Sequence, residues 1–196
     1  MNERRAEAIE SIRYHVWSGH YAAEEVFNIV EEDVFESEGE EEVWLRGAIE
    51  REFAAKRAAE RAWPEVTDCD RLDQVFEALQ GKGLVARHRC GLTQQDGLEV
   101  IEGLYEEAGG ERSGLAGYSF YTLQDMEGAM WGECGLWLSF GGFSGTTGDA
   151  VRTGDLIRDE CERAGFAVSW DGTAASRLLL SGFRWHRRNP VRDTGA

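Results

Sequence analysis

GFAVSWDGTAASRLLLSGFRW, residues 165–185, decides the fold class. Phe166 to Trp170 places Phe166, Val168 and Trp170 on alternate positions, the two-residue period of a half-buried strand. Asp171-Gly172 opens a connection, and Arg177 to Trp185 supplies a second strand-like run. The link is far shorter than a parallel crossover needs, so the two runs pair as an antiparallel hairpin. A sheet that holds such a step is mixed or antiparallel. The chain is therefore expected to be α+β, or a mixed α/β sandwich, with about five strands.

Upstream, helices and strands alternate with clear punctuation. Asp149 to Ala164 puts Gly154, Ile157, Cys161 and Ala164 on one helical face, and Gly165-Phe166 has the form of a Schellman end with its apolar C″ residue. Tyr118 to Thr122 and Leu136 to Phe140 read as short strands around a helical turn at Gln124–Ala129. Thr93-Gln94-Gln95-Asp96 opens a helix with Leu98, Ile101, Leu104, Tyr105 and Ala108 at helical spacing. Leu84 to Cys90 reads as a strand. Thr67-Asp68-Cys69-Asp70 opens a helix with Leu72, Val75, Phe76 and Leu79 inward, closed by Gly81 and Gly83. Residues 1–66 are helical throughout. Ala8, Ile9, Ile12 and Val16 mark a first helix, broken at Ser18-Gly19, and Val26, Phe27, Val30 and Val34 a second, starting near Tyr21. A third, near Glu41 to Ala62, carries Leu45, Ala48, Ile49, Ala55, Ala59 and Trp63 on one side, and Pro64 stops it. Three regions result: a helical region, 1–66, expected to pack as a layer on the sheet; an α+β domain, 67–188; and a flexible polar tail, 189–196.

Composition narrows the function classes. Lys and Arg number 21 against 37 Asp and Glu, a net charge of −16. Clustered Lys/Arg is what phosphate-backbone binding needs, so nucleic acid is an improbable partner. No apolar run approaches the ~20 residues of a membrane helix, and MNERRAEAIE has no apolar signal core, so a cytoplasmic protein is expected. With 42% hydrophobic residues and seven Trp, the chain can bury a core. Cys69, Cys90, Cys134 and Cys161 form no short Cys-x-x-Cys knuckle, which argues against a structural zinc, so no metal and no cofactor is expected. They read as reduced, buried thiols.

Several constellations touch on chemistry. Thr67–Asp70 and Thr93–Asp96 share the form Thr-x-x-Asp, which suits helix capping, with Gln94 and Gln95 left over as polar candidates. GGFSGTTG, 141–148, lies between a strand and a helix, but Asp149 stands where a Walker loop has Lys, so a connecting loop is expected. His88 and Cys90, two apart on a strand, share its core face with Leu84 and Ala86 and read as a structural pair rather than an activated thiol. Tyr118, Phe120, Tyr121, Trp131, Trp137, Trp170 and Trp185 load the sheet with aromatics. An aromatic pocket at the sheet edge would gather Gln94, Gln95, Tyr121, Gln124, Asp125, Trp170, Asp171 and Arg177, with Arg177 either pairing with Asp171 or binding an anion. Glu24 to Glu42 holds ten carboxylates and no Lys or Arg, and Glu31, Glu32, Asp33 and Glu36 are its docking candidates for a basic protein. A homodimer face is the other partner class open to the exposed aromatics. No general acid/base pair falls on a common face, so no catalytic residue is assigned.

The strings VWSGHY (16–21), EVWLRGAIEREFAAK (42–56), WPEVTDCDRLDQVFEAL (63–79), GLTQQDG (91–97), GYSFYTLQD (117–125) and GFAVSWDGT…RLLLSGFRWHRR (165–188) together resemble a bacterial family of the DUF6891 type, a domain of unknown function. The likeness spans nearly the whole chain and implies a bacterial, soluble protein. The family pattern has Thr-x-Ser-Asp-Gly where this chain has Thr93-Gln94-Gln95-Asp96-Gly97, so no serine-based role is implied there. The resemblance carries no catalytic residue. The function expected is that of an acidic cytoplasmic protein-binding module, inhibitor- or immunity-like; the rival is an enzyme or small-molecule sensor built on the aromatic pocket.

Overall fold

The computed structural model describes residues 3–34, 40–132 and 135–190. The chain divides into two compact units, Met1–Thr67 with His186–Ala196, and Asp68–Trp185.

In the first unit three helices, α1 (Glu3–Ser18), α2 (Ala23–Val34) and α3 (Glu40–Glu60), bury their apolar stripes together. Ile12 and Val16 of α1, Val26, Phe27 and Val30 of α2, and Leu45, Ile49 and Phe53 of α3 form one core. Gly19 ends α1 in the left-handed region (φ 77°), where its N–H returns to the Val16 carbonyl. Side chains add further donors to that carbonyl and to Tyr21 O just beyond it. Lys56, fully buried, donates from Nζ to Val16 O at 2.9 Å, and Asn189 Nδ2 donates to Val16 O and to Tyr21 O (3.3 and 3.0 Å). Arg188 donates to the carbonyls of Pro64 and Glu65. Residues 186–190 thus belong to the helical unit, held by hydrogen bonds that no local sequence pattern advertises.

The second unit is a five-stranded mixed sheet with helices on both faces, the α+β class expected. In chain order it comprises α4 (Asp68–Gly81), β1 (Leu84–Arg87), α5 (Gln94–Glu107), a 3-10 turn (Gly110–Ser113), β2 (Gly117–Phe120), α6 (Leu123–Met130), β3 (Leu136–Gly142), α7 (Thr147–Arg163), β4 (Ala167–Ser169) and β5 (Leu178–Ser181). The strand order is β1-β2-β3-β5-β4, with β1 and β2 parallel and every other neighbouring pair antiparallel. The 165–185 hairpin forms with Val168 opposite Leu180. Its second strand is shorter than expected, because Gly182 (φ 69°) turns the chain out of the ladder after Ser181. Leu84, Ala86, Ser119, Leu136, Leu138, Phe140, Leu178 and Leu180 share one face by register, and α4 and α7 cover it. Val85, Tyr118, Phe120, Trp137 and Leu179 share the other, under α5 and α6.

One sequence expectation fails here for a definite reason. β1 stops at Arg87, and Arg89 takes φ 50°, the one non-glycine positive φ among the described residues, so the in-out alternation breaks. His88 stays with the α4 face, its ring stacked on Phe76 at 4.5 Å. Cys90 crosses over and packs with Ile101 and Phe120 under α5. The expected His88–Cys90 pair is not formed.

Candidate functional site

The residues nominated from sequence for a pocket do not converge. Asp125 and Arg177 meet: Arg177 Nη1 donates to Asp125 Oδ1 at 2.8 Å, and the guanidinium lies 5.2 Å from the centre of the Trp137 ring. The other oxygen, Asp125 Oδ2, accepts the Thr122 N–H (3.0 Å) and hydroxyl (2.8 Å), completing a capping box on α6. Both carboxylate oxygens of this buried group are therefore engaged, which makes it an anchor for β5 rather than a free acid. The pairing of Arg177 with Asp171 is not the one made. Asp171 closes its own turn instead, accepting from Thr173 N at 2.9 Å and from Ser176 Oγ, and these donors, Ser176 first, hold its carboxyl below the usual range. Trp170 donates to Thr173 O (3.0 Å) and sets its ring edge-on to Phe140 against Gly154, whose Cβ would lie 2.6 Å from the indole. Tyr121 is fully buried beside Phe76, His88 and Trp185. Gln94, Gln95 and Gln124 lie at the surface, with Gln95 donating to Glu99 at 3.2 Å. Tyr121 and Trp170 thus belong to the α4/α7 side, and Asp125 and Arg177 to the α5/α6 side.

A polar chain escaped the sequence reading. His88 Nε2 is 3.4 Å from Asp73 Oδ1, and His88 Nδ1 is 3.2 Å from the Tyr121 hydroxyl. Asp, His and Tyr in line resemble a proton relay, but a fully buried tyrosine offers no face to a substrate, so the bridge ties α4 to the end of β2. The thiols point the same way. Burial pushes Cys90 up, only partly countered by Arg87, and pushes Cys161 up to about 12, aided by Glu160 and Glu162. Cys69, Cys90 and Cys161 are buried thiols outside any disulfide, and Cys134 lies outside the described residues. No group of three or more His, Cys, Asp or Glu side chains among the described residues is placed to hold a metal ion. Nor is any described helix long and apolar enough to cross a membrane.

Capping accounts for the Thr-x-x-Asp segment at the start of α5: Thr93 and Asp96 bond reciprocally, and the Thr93 donors hold the Asp96 carboxyl below its usual range. The same device starts α6 with Thr122 and Asp125, and at α7 Thr146 Oγ1 accepts from Asp149 N. In the glycine-rich loop, Asp149 also accepts from Ser144 and Thr146, so a carboxylate occupies the end of α7 where a phosphate would sit.

Two surfaces remain open. On α2 the buried Val26, Phe27 and Val30 turn Glu24, Glu25, Glu32 and Asp33 outward, with Glu31 half-buried beside them. Arg46 bridges Glu24 and Glu42 at 3.2 and 2.9 Å. Burial lowers the His15 imidazole overall, against upward pulls from its hydrogen bond with the Ser11 carbonyl and then from Asp33. Glu36 lies outside the described residues. In the second unit a cleft of 310 Å³ opens beside α5. Beside it Tyr105 and Phe143 stack on one another in contact, nearly parallel with centroids 3.9 Å apart, and Tyr118 stands at 51° to Phe143 with centroids 5.6 Å apart. Gly141 makes room for that ring, since a Cβ there would lie 2.4 Å from the Tyr118 hydroxyl. Ile101 lies in the wall, and the exposed Glu102 and Glu106 also line it. Burial raises the Tyr118 phenol above its ordinary value. The cleft joins α5 to the loop after β3, a distance in sequence that no local motif spans.

Comparison with known families gives one finding. The model of a family described as "Domain of unknown function (DUF6891)" matches residues 1–189, and so takes in both units. Searches of curated proteins and of solved structures return no match. With nearly the whole chain matched, this protein belongs to the DUF6891 family.

Proposed function

We propose that the protein is a cytoplasmic binding module that docks a basic polypeptide on the acidic face of α2, in the manner of a small inhibitor or immunity protein. The observation that carries this reading is the last turn of α2. Glu31, Glu32 and Asp33 stand there with no basic residue in the turn, at the end of the helix where the macrodipole is already negative. Cations are the favoured residues at that place, so the acids weaken the helix locally. Surfaces that break a local rule in this way are characteristic of function. A basic partner would reverse the sign of the effect and be steered to the face over distances up to about a Debye length. The buried thiols of Cys69, Cys90 and Cys161, in no disulfide, fit a reducing compartment. The rival pocket reading loses support because its nominated residues are split between the two faces of the sheet.

Fluorescence anisotropy with a labelled Lys/Arg-rich peptide tests the reading. Binding should weaken by about tenfold or more between low and physiological salt, as screening at ~8–10 Å removes the long-range attraction. Salt-insensitive binding, or none, would overturn it.

A further inference from the structure

We propose that Arg46 is an internal plug on the acidic face of α2, seated where an arginine of the basic partner lands, and that docking displaces it. The inference rests on the docking role proposed above and adds how that face is regulated. Arg46 stands on α3, and its guanidinium reaches across to α2. Nε donates to Glu42 Oε1 at 2.9 Å, Nη1 to Glu24 Oε2 at 3.2 Å and Nη2 to Glu24 Oε1 at 3.5 Å. The same group lies over the Phe27 ring, 3.9 Å from its centre. Carboxylates from two helices and the face of an aromatic ring therefore already hold a guanidinium, by its fork of N–H donors and by stacking.

The position of this contact ties it to docking. Glu24, Phe27 and Glu31 follow one another at steps of three and four residues and so form one stripe of α2. Arg46 covers the ring that lies between Glu24, in the first turn, and Glu31, one of the docking acids. The contact is also of a kind that exchanges readily. Arg46, Glu24 and Glu42 keep 44%, 53% and 44% of their side chains in water. Exposed pairs hold weakly, because water screens the attraction and two long side chains lose freedom in making it. An incoming arginine offers the same fork and the same stacking, so the exchange loses little and the released Arg46 returns to water. A lysine makes the exchange less well, since its ammonium has no planar fork and holds its hydration more tightly. The plug thus sets a preference for arginine in the partner and a threshold against weakly basic chains.

The test measures the affinity of two labelled octapeptides, alternating Gly/Arg and alternating Gly/Lys, for the whole protein by fluorescence anisotropy. Arg46→Ala uncovers Phe27, Glu24 and Glu42 and should bind the arginine peptide about fivefold more tightly than wild type does, with less than half that gain for the lysine peptide. Arg112→Gln makes the same change of charge at an exposed position of the second unit and should stay within about twofold of wild type. In wild type, the arginine peptide should move the NMR signal of the Arg46 Nε–H toward that of an unpaired arginine. Alanine suits the helix at this exposed position, and an unchanged circular dichroism spectrum checks that Arg46→Ala keeps its fold. Equal gains for the two peptides, an equal gain in Arg112→Gln, or no gain in Arg46→Ala while wild type still binds would each overturn the plug and leave the docking face standing. Binding of neither peptide by wild type or Arg46→Ala would overturn both.

Discussion

Gly97 and Gly103 both lie in α5, and the structure predicts opposite outcomes when each becomes alanine. On helix propensity alone both changes stabilise, by up to ~1 kcal/mol each. Gly103 has open space where a Cβ would go, with nothing within 4 Å, so Gly103→Ala should realise most of that gain. At Gly97 the new Cβ would lie 2.3 Å from Phe120 Cε2 and 2.6 Å from the Cys90 carbonyl oxygen. Phe120 is fully buried, and the carbonyl belongs to the backbone that carries Cys90 across the sheet. Neither can rotate away, so the first turn of α5 must lift off the sheet. Overpacking of this kind costs ~1–3 kcal/mol, and the immovable carbonyl places Gly97→Ala near the upper end. Because both substitutions carry a similar propensity gain, the difference between the variants isolates the packing cost, about 3 kcal/mol. Urea denaturation of the two variants and the wild type, with m-values compared to verify a common transition, measures it. The expected order is Gly103→Ala above wild type above Gly97→Ala. A Gly97→Ala protein as stable as wild type would refute the close approach of α5 to Phe120 and the placement of Cys90 beneath it.

Three further outcomes follow from the same packing. Replacing Arg177 with Met should destabilise the second unit by ~1–3 kcal/mol by leaving Asp125 with one oxygen unpaired. A double-mutant cycle with Asp125→Asn should then show coupling of at least ~0.5 kcal/mol by urea denaturation, and additive effects would contradict the ion pair. Glu160 accepts from Arg163 and Lys82, which hold its carboxyl below the usual value. A depressed carboxyl contributes stability above its unfolded pKa, ~4.3 for Glu, and loses it as pH falls through the folded value. Acid titration followed by circular dichroism should therefore show a shallower stability loss below ~pH 4.3 for Glu160→Gln than for wild type. With Cys134 changed to Ser, the native protein should be inert to a thiol reagent at neutral pH, and all three remaining cysteines should react in denaturant. Rapid labelling of the folded form would contradict their burial.

What the sequence made legible was local. The α5 start could be read because Thr93 and Asp96 are three residues apart, and the closing hairpin because its two runs are neighbours in the chain. The strand order could not, since β5 inserts between β3 and β4 through pairings that no short pattern encodes. Alternation misplaced Cys90 because it assumes extended backbone, and Arg89 is not extended. Arg177 found Asp125, 52 residues away, instead of the nearer Asp171, whose carboxylate was already engaged by Ser176 and Thr173. The aromatic weight of the sheet was visible in composition, but the cleft it builds was not. Tyr105 comes from a helix stripe that reads as plain core, and Phe143 from a glycine-rich loop that reads as a connector.

The docking role of α2 is tested most directly by comparing two variants of equal charge with the same labelled basic peptide. One carries Glu31→Gln, Glu32→Gln and Asp33→Asn; the other carries Glu77→Gln, Glu99→Gln and Glu127→Gln, exposed positions of the second unit. A docking face on α2 predicts that the first loses about tenfold or more in affinity while the second stays within about twofold of wild type. Equal losses in the two would mean that the peptide senses only net charge, and would contradict the assignment of that face.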